Sequence, residues 1–254
     1  MSLSYRHCIL ALALWAGLFI HPAAAAPEEA AAEAAFNRGI AALQEGNPSQ
    51  AVQQFSEVIQ RQPELPEAYI NRGVAQRRLG KFSDALADFS KAIDLAPGAP
   101  EAYYNRALLH SLMDAPDKAL ADLTEALKYD EKDWQIYYNR GNAYLDLKKP
   151  EAALKDYARA LELRPNAPEV LHNQGLAHFL ANQPEAALKD FDRTLALNPH
   201  FARAYFNKAQ ALERLGRLDD ARRAYRQFLK SADPEKDRGL MEKTLAILRE
   251  SEAK

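Results

Sequence analysis

Hydrophobic and polar positions along residues 32–235 recur at a spacing of 34. Tyr69-Ile70-Asn71-Arg72-Gly73, Tyr103-Tyr104-Asn105-Arg106-Ala107 and Tyr205-Phe206-Asn207-Lys208-Ala209 are copies of one segment. Each unit is numbered here from the residue equivalent to Trp134. Position 20 is then Ala51, Ala85, Ala119, Ala153, Ala187 and Ala221, the same residue in every unit. Position 8 is small throughout (Gly39, Gly73, Ala107, Gly141, Gly175, Ala209), and position 24 is aromatic or leucine (Phe55, Phe89, Leu123, Tyr157, Phe191, Tyr225). Position 32 is Pro63, Pro97, Pro165 and Pro199, with Glu131 and Asp233 departing from it. A period of this length predicts stacked supersecondary units, each burying its apolar face on its neighbours.

Small residues at positions 8 and 20 suit two antiparallel helices in close approach, since a large side chain at either would wedge them apart. The spacing predicts a first helix from about position 1 to 14 and a turn at 15 to 17. A second helix then ends near position 30. Proline at Pro48, Pro116, Pro150 and Pro184 fits the first turn of the second helix, where a missing N–H costs nothing; Asp117, Glu151 and Glu185 follow it and favour the helix dipole. Pro66, Pro100 and Pro168 open first helices in the same way.

The registered small, aromatic and proline positions resemble the tetratricopeptide-repeat family across residues 32–235, as six units: 32–65, 66–99, 100–133, 134–167, 168–201 and 202–235. The resemblance implies an all-α fold, a right-handed α-solenoid of six helix-turn-helix repeats, with first helices on its concave side. One departure is systematic. Position 7, a leucine in the family, is Arg38, Arg72, Arg106, Arg140, Gln174 and Lys208. Both ends of such a stack need covering. Repeat one is atypical, with Ala35 at position 4, and residues 236–254 are expected to form a C-terminal capping helix, about Glu235 to Glu250, with Met241, Leu245 and Leu248 on one stripe. A free amphipathic helix is the alternative.

The N-terminus does not belong to the repeats. Arg6 precedes an apolar run from Cys8 to Ile20, and Ala23 and Ala25 form an A-x-A site. This pattern predicts a signal peptide over residues 1–25, cut after Ala25, leaving a short lead over 26–31 and an exported, periplasmic chain. The run is short of the ~20 residues of a membrane span, so no stable membrane insertion of the mature chain is expected. An uncleaved anchor is the alternative, and it would still direct the repeats outward. Cys8 is the only cysteine and leaves with the signal, so no disulfide is expected.

Removing the signal takes away Arg6 alone among the strong charges, leaving 32 basic residues against 35 acidic ones. That balance excludes a nucleic-acid footprint, and no polybasic tract suggests a membrane surface. The repeats leave no room for a catalytic domain of ~100 residues. No G-x-S-x-G, phosphate loop or H-E-x-x-H occurs. His110 and His178 share position 11 with Tyr144 and read as packed substitutes; His172, alone at a groove position, makes no metal site. No enzyme and no cofactor are expected.

The expectation is therefore a protein-binding scaffold or adaptor of the envelope. A self-assembling structural protein, with homo-oligomers, is the alternative from another class, and an accessory to a carbohydrate-processing enzyme ranks below both. By the resemblance, positions 2, 5, 9, 12 and 13 face the groove. The family's carboxylate clamp needs lysine at position 5, which is Phe36, Ile70, Tyr104, Tyr138, His172 and Phe206 here, so the clamp is absent. Repeats three to five offer Tyr104, Leu108 and Leu112, then Tyr138, Asn142 and Leu145, then His172, Leu176, Phe179 and Leu180. An apolar stripe of this kind, between ends charged by Glu33, Glu67, Arg77, Arg78, Arg203, Glu213 and Arg214, suits an extended or helical apolar segment of a protein or peptide partner. Packing of Tyr104 and Tyr138 on neighbouring helices is the competing account. Asn142 is a candidate hydrogen-bonding group for a ligand backbone, and the asparagines at position 6 are expected to order the helix pairs.

Position 23 carries Asp88, Asp122, Asp156 and Asp190, partners for the cations of position 7. Pairing across repeats, Asp88 with Arg106, Asp122 with Arg140 and Asp190 with Lys208, is favoured over pairing within a repeat. Pairing within repeats would set Lys208 against Ala224, an empty partner, whereas across repeats Asp156 meets Gln174 and Gln54 meets Arg72, neither pair incompatible. Either way these charges are a structural ladder and not a site.

Overall fold

The computed structural model describes residues 27–252. The export signal over 1–25 lies outside the described residues. Contacts divide the chain into two compact units, residues 1–131 and 132–254. The described residues are all-α, without a strand.

The first unit holds three antiparallel pairs: α1 (Pro27–Gln44) with α2 (Pro48–Arg61), α3 (Pro66–Arg78) with α4 (Phe82–Leu95), and α5 (Pro100–Leu112) with α6 (Pro116–Tyr129). The second holds α7 (Trp134–Asp146) with α8 (Pro150–Leu163), α9 (Pro168–Leu180) with α10 (Pro184–Leu197), α11 (Ala202–Arg214) with α12 (Leu218–Ser231), and the terminal α13 (Arg238–Glu252). Within each unit a second helix packs on the next first helix, and first helices also touch: α3 meets α1 and α5, and α9 meets α7 and α11. Helix α1 starts at Pro27, so the expected lead over 26–31 is largely its first turn.

Every turn between paired helices contains one left-handed residue at position 15: Gly46, Gly80, Asp114, Lys148, Asn182 and Gly216. Glycine, aspartate and asparagine tolerate that conformation; Lys148, at φ 59°, does so with strain.

Position 24 organises the interior. Phe55, Phe89, Tyr157 and Phe191 are fully buried, each such ring contributing about 1.5–3 kcal/mol. The smallness of position 8 has a sharper cause than backbone approach. A Cβ on Gly39, Gly73, Gly141 or Gly175 would stand 2.6–2.7 Å from the position-24 ring of its own repeat. Alanine takes position 8 where position 24 is Leu123, as Ala107, and also in repeat six, where Ala209 stands with Tyr225. Helix α13 closes the second unit by seating Leu240, Met241, Ile247 and Leu248 against Phe206, Tyr225 and Phe228. Leu245 departs from the expected stripe: it is 42% exposed, and Thr244 takes the buried place.

Candidate partner-binding surface

The position-7 arginines form their ion pairs inside a repeat, which corrects the cross-repeat ladder. Arg72 Nε and Nη2 donate to Asp88 at 2.8 Å, Arg106 to Asp122 at 2.7–2.8 Å, and Arg140 to Asp156 at 2.7 Å, each bidentate. The reason is geometric: position 23 lies beside position 7 on the paired helix, with both oxygens aimed at the guanidinium fork. The next repeat back is reached by a different atom. Arg72 Nη1 and Arg106 Nη1 each donate to a position-25 hydroxyl, Ser56 and Ser90, at 3.1 Å. A position-4 tyrosine, Tyr69, Tyr103 or Tyr137, lies 5.7–5.9 Å beneath the guanidinium. Hydrogen bonding to the aspartate is the main reason these arginines hold their protons above the ordinary range, opposed by burial.

Repeats five and six lack this device. Lys208 turns back to Asp192 at 2.6 Å and does not reach Asp190. Asp190 is buried, and among the described residues its ion partners are His178 at 3.6 Å and Arg193 at 3.6 Å; burial pushes its carboxyl pKa upward. His110 stands 3.8 Å from Asp122. Both position-11 histidines thus face the position-23 acid of their own repeat. Among the described residues no cluster of metal ligands occurs.

The expected groove residues divide by unit: Tyr104, Leu108 and Leu112 in the first, the others in the second. In the first unit Tyr104 and Leu108 are half-buried and Leu112 is 60% exposed. In the second, one of the expected contacts is interior and two are engaged by neighbouring side chains. His172 is buried, its ring 4.7 Å from Phe201 and 5.7 Å from Phe191, so it cannot meet a partner. Asn207 Nδ2 lies 3.4 Å from Nε2, while the buried Nδ1 has no hydrogen-bond partner. Burial, with the charge of Arg203, lowers its pKa to about 4. Asn142 Oδ1 is already engaged, accepting from Tyr157 Oη at 2.7 Å and Asn173 Nδ2 at 2.8 Å.

Tyr138 is half-buried. It leans on Trp134 and Tyr157 and accepts from Asn173 Nδ2 at 3.2 Å, so the packing account of this tyrosine holds. The same position-5 to position-24 contact recurs as Phe36 on Phe55 and Phe206 on Tyr225. The position-6 asparagines do not act alike: Asn71, Asn105 and Asn139 donate to carbonyls four residues back in their own helix, whereas Asn173 and Asn207 reach side chains of the preceding repeat.

The accessible remainder of the second unit is Leu145, Leu176 and Phe179, all half-buried, and Leu180, 50% exposed. Arg214 covers one face of Phe179, its guanidinium 3.9 Å from the ring centroid and Nη1 donating to the Phe179 carbonyl at 3.0 Å. Arg78 makes the equivalent bond to the Leu43 carbonyl at 2.7 Å. Reading these arginines only as charged ends missed this role. The signal was their shared position 13, one residue past a neighbour's position 12.

The tetratricopeptide-repeat family matches residues 20–66, 36–100, 70–111 and 172–237 with one profile, and 100–133 and 134–167 with two others. The chain belongs to the tetratricopeptide-repeat family, and its class is an all-α helical-repeat solenoid. Proteins of this class are generally non-catalytic scaffolds that bind protein or peptide partners. No curated protein matches the chain. Solved structures are similar in fold. PilF of Pseudomonas aeruginosa shares 19% identity at a TM-score of 0.71, covering 80% of this chain and 92% of its own. PilW, described as a type IV pilus biogenesis factor, shares 17% at a TM-score of 0.71, over 78% and 92%. YrrB, described as having an unusual peptide-binding site, shares 23% at 0.64, over 74% and 97%.

Proposed function

We propose that the chain is an exported, non-catalytic adaptor that holds an apolar segment of a partner protein against its first helices. Arg6, the Cys8–Ile20 run and the Ala23/Ala25 site support export. The observation that carries the binding reading is the position-13 leucine of repeats three and five. Leu112 and Leu180 are 60% and 50% exposed, each beside half-buried apolar neighbours of its own helix, whereas the other four repeats carry Gln44, Arg78, Asp146 and Arg214 there. Exposed apolar residues grouped this way mark interaction surfaces.

A photo-reactive amino acid at 112 or 180, with Asp94 on α4 as control, tests the reading in the producing cell. One discrete adduct with another protein, from 112 or 180 and not from 94, is expected. Adducts with a second copy of the chain would replace the adaptor reading by self-assembly, and equal labelling at all three positions would end both. N-terminal sequencing of the exported form should begin near Ala26; Met1 in the soluble fraction overturns export.

A further inference from the structure

Repeat six has a cleft beside the position where repeats two to four hold an arginine–aspartate clamp. Position 23 is aspartate in repeats two to five and Ala224 in repeat six. A cleft of about 250 Å³ lies between α10, α11 and α12, with Ala224 in its lining. That is below the ~300–1,000 Å³ of a cofactor-sized pocket and suits a single side chain. Leu188, Tyr205, Leu212 and Ala224 give it an apolar floor, and the rim is charged.

The charges of that rim do not balance. Lys208, Arg217 and Arg223 face it against only Asp192 and Asp220. Lys208 is paired with Asp192 at 2.6 Å, while Asp220 serves two guanidiniums at once, Arg217 at 2.6 Å and Arg223. Each sibling clamp in repeats two to four sets one carboxylate against one guanidinium; this cleft has one cation in excess, next to the vacated carboxylate position. A third carboxylate would restore both the charge balance and the missing clamp partner.

We infer that the cleft between α10, α11 and α12 is a subsite for a glutamate or aspartate side chain of an acidic protein segment, which replaces in trans the position-23 carboxylate that repeat six lacks. The apolar floor takes the methylene stem, and Lys208 with the rim arginines takes the charge. This subsite lies between a first helix and two second helices and does not depend on the leucines of position 13.

The test is fluorescence anisotropy with the full chain and a labelled, end-blocked peptide carrying central glutamates, beside its glutamine counterpart and a glutamine peptide with a free C-terminal carboxylate. The glutamate peptide should bind saturably and weaken as salt rises. Lys208→Gln should weaken it at least tenfold. Ala224→Asp should fill the slot from within, abolishing binding while holding or raising the melting temperature. Equal binding of the blocked glutamine peptide, binding only of the free-carboxylate peptide, no binding at all, or binding undiminished by Ala224→Asp in a variant that melts normally would each overturn the assignment.

Discussion

Repeats three and five carry the same buried acid and the same histidine, yet differ in what neutralises that acid. In repeat three Asp122 receives two bonds from Arg106, which lies over Tyr103, and His110 stands off at 3.8 Å. In repeat five the tyrosine is Leu171 and the arginine is Gln174, and Asp190 is left with contacts of 3.6 Å to His178 and Arg193. A buried carboxylate is tolerated when a guanidinium fork meets both oxygens, and without one its charged form is disfavoured. The arginine at position 7 is therefore half of a device, and its loss is felt by a residue sixteen positions away.

Removing the acid should break this contrast most visibly. Asp122→Ala strands a half-buried guanidinium and should cost ~3 kcal/mol, whereas Asp190→Ala removes a poorly paired charge and should cost near zero or stabilise. Parallel thermal melts decide it; equal losses would dissolve the distinction between the two repeats.

Acid should separate the regions further. His172 has a folded pKa of about 4, below its ordinary value, so the unfolded chain binds the proton first. Its contribution is whole above about pH 6.5 and is lost as pH falls towards 4, by ~3 kcal/mol. Asp190 opposes this with the other sign: its folded pKa is raised, so stability falls as pH rises through the interval above the ordinary carboxylate value. His172→Phe should flatten the acid loss, as measured by urea unfolding at pH 7 and pH 5. A loss unchanged by that substitution would place its source elsewhere.

The smallest expected effect comes from repair. Leu171→Tyr with Gln174→Arg rebuilds the repeat-three device around Asp190 and should stabilise by about 1 kcal/mol at pH 7, returning the carboxyl towards or below its ordinary pKa. A carbon-13 NMR titration of Asp190 reads that shift directly, and no downward movement would show that the fork does not form.

Much of the fold was legible because a 34-residue period is averaged over six copies: helix pairs, prolines and the buried alanines of position 20 follow from it. The ladder's members in repeats two to four were legible too, but not their pairing, and the expected members Asp190 and Lys208 stand outside it. The choice between positions 7 and 23 within or across repeats depends on the angle of two helices, which composition does not encode. Lys208 against Ala224 weighed wrongly against pairing within repeats, because the exception was a vacancy and not a counterexample. The surface was least legible. Tyr138, Asn142 and His172 occupy face-like positions by spacing, but they are drawn inward by the rings of Tyr157, Phe191 and Phe201, contacts set by side-chain size.

The reciprocity of glycine 8 and ring 24 bears on how such a chain can grow. Gly141 and Tyr157, or Gly175 and Phe191, fit each other within one 34-residue stretch. A duplication or deletion that joins two copies near position 32 keeps each ring with the glycine shaped for it. One that joins them at the position-15 turn would pair the first helix of one copy with the second of another, setting Gly73 over Leu123 with a void as the result; alanine at position 8 is the more tolerant partner, since Ala209 stands with Tyr225 in repeat six. Lineages of this protein should therefore differ in length by whole units counted from the proline, and seldom by units counted from the turn.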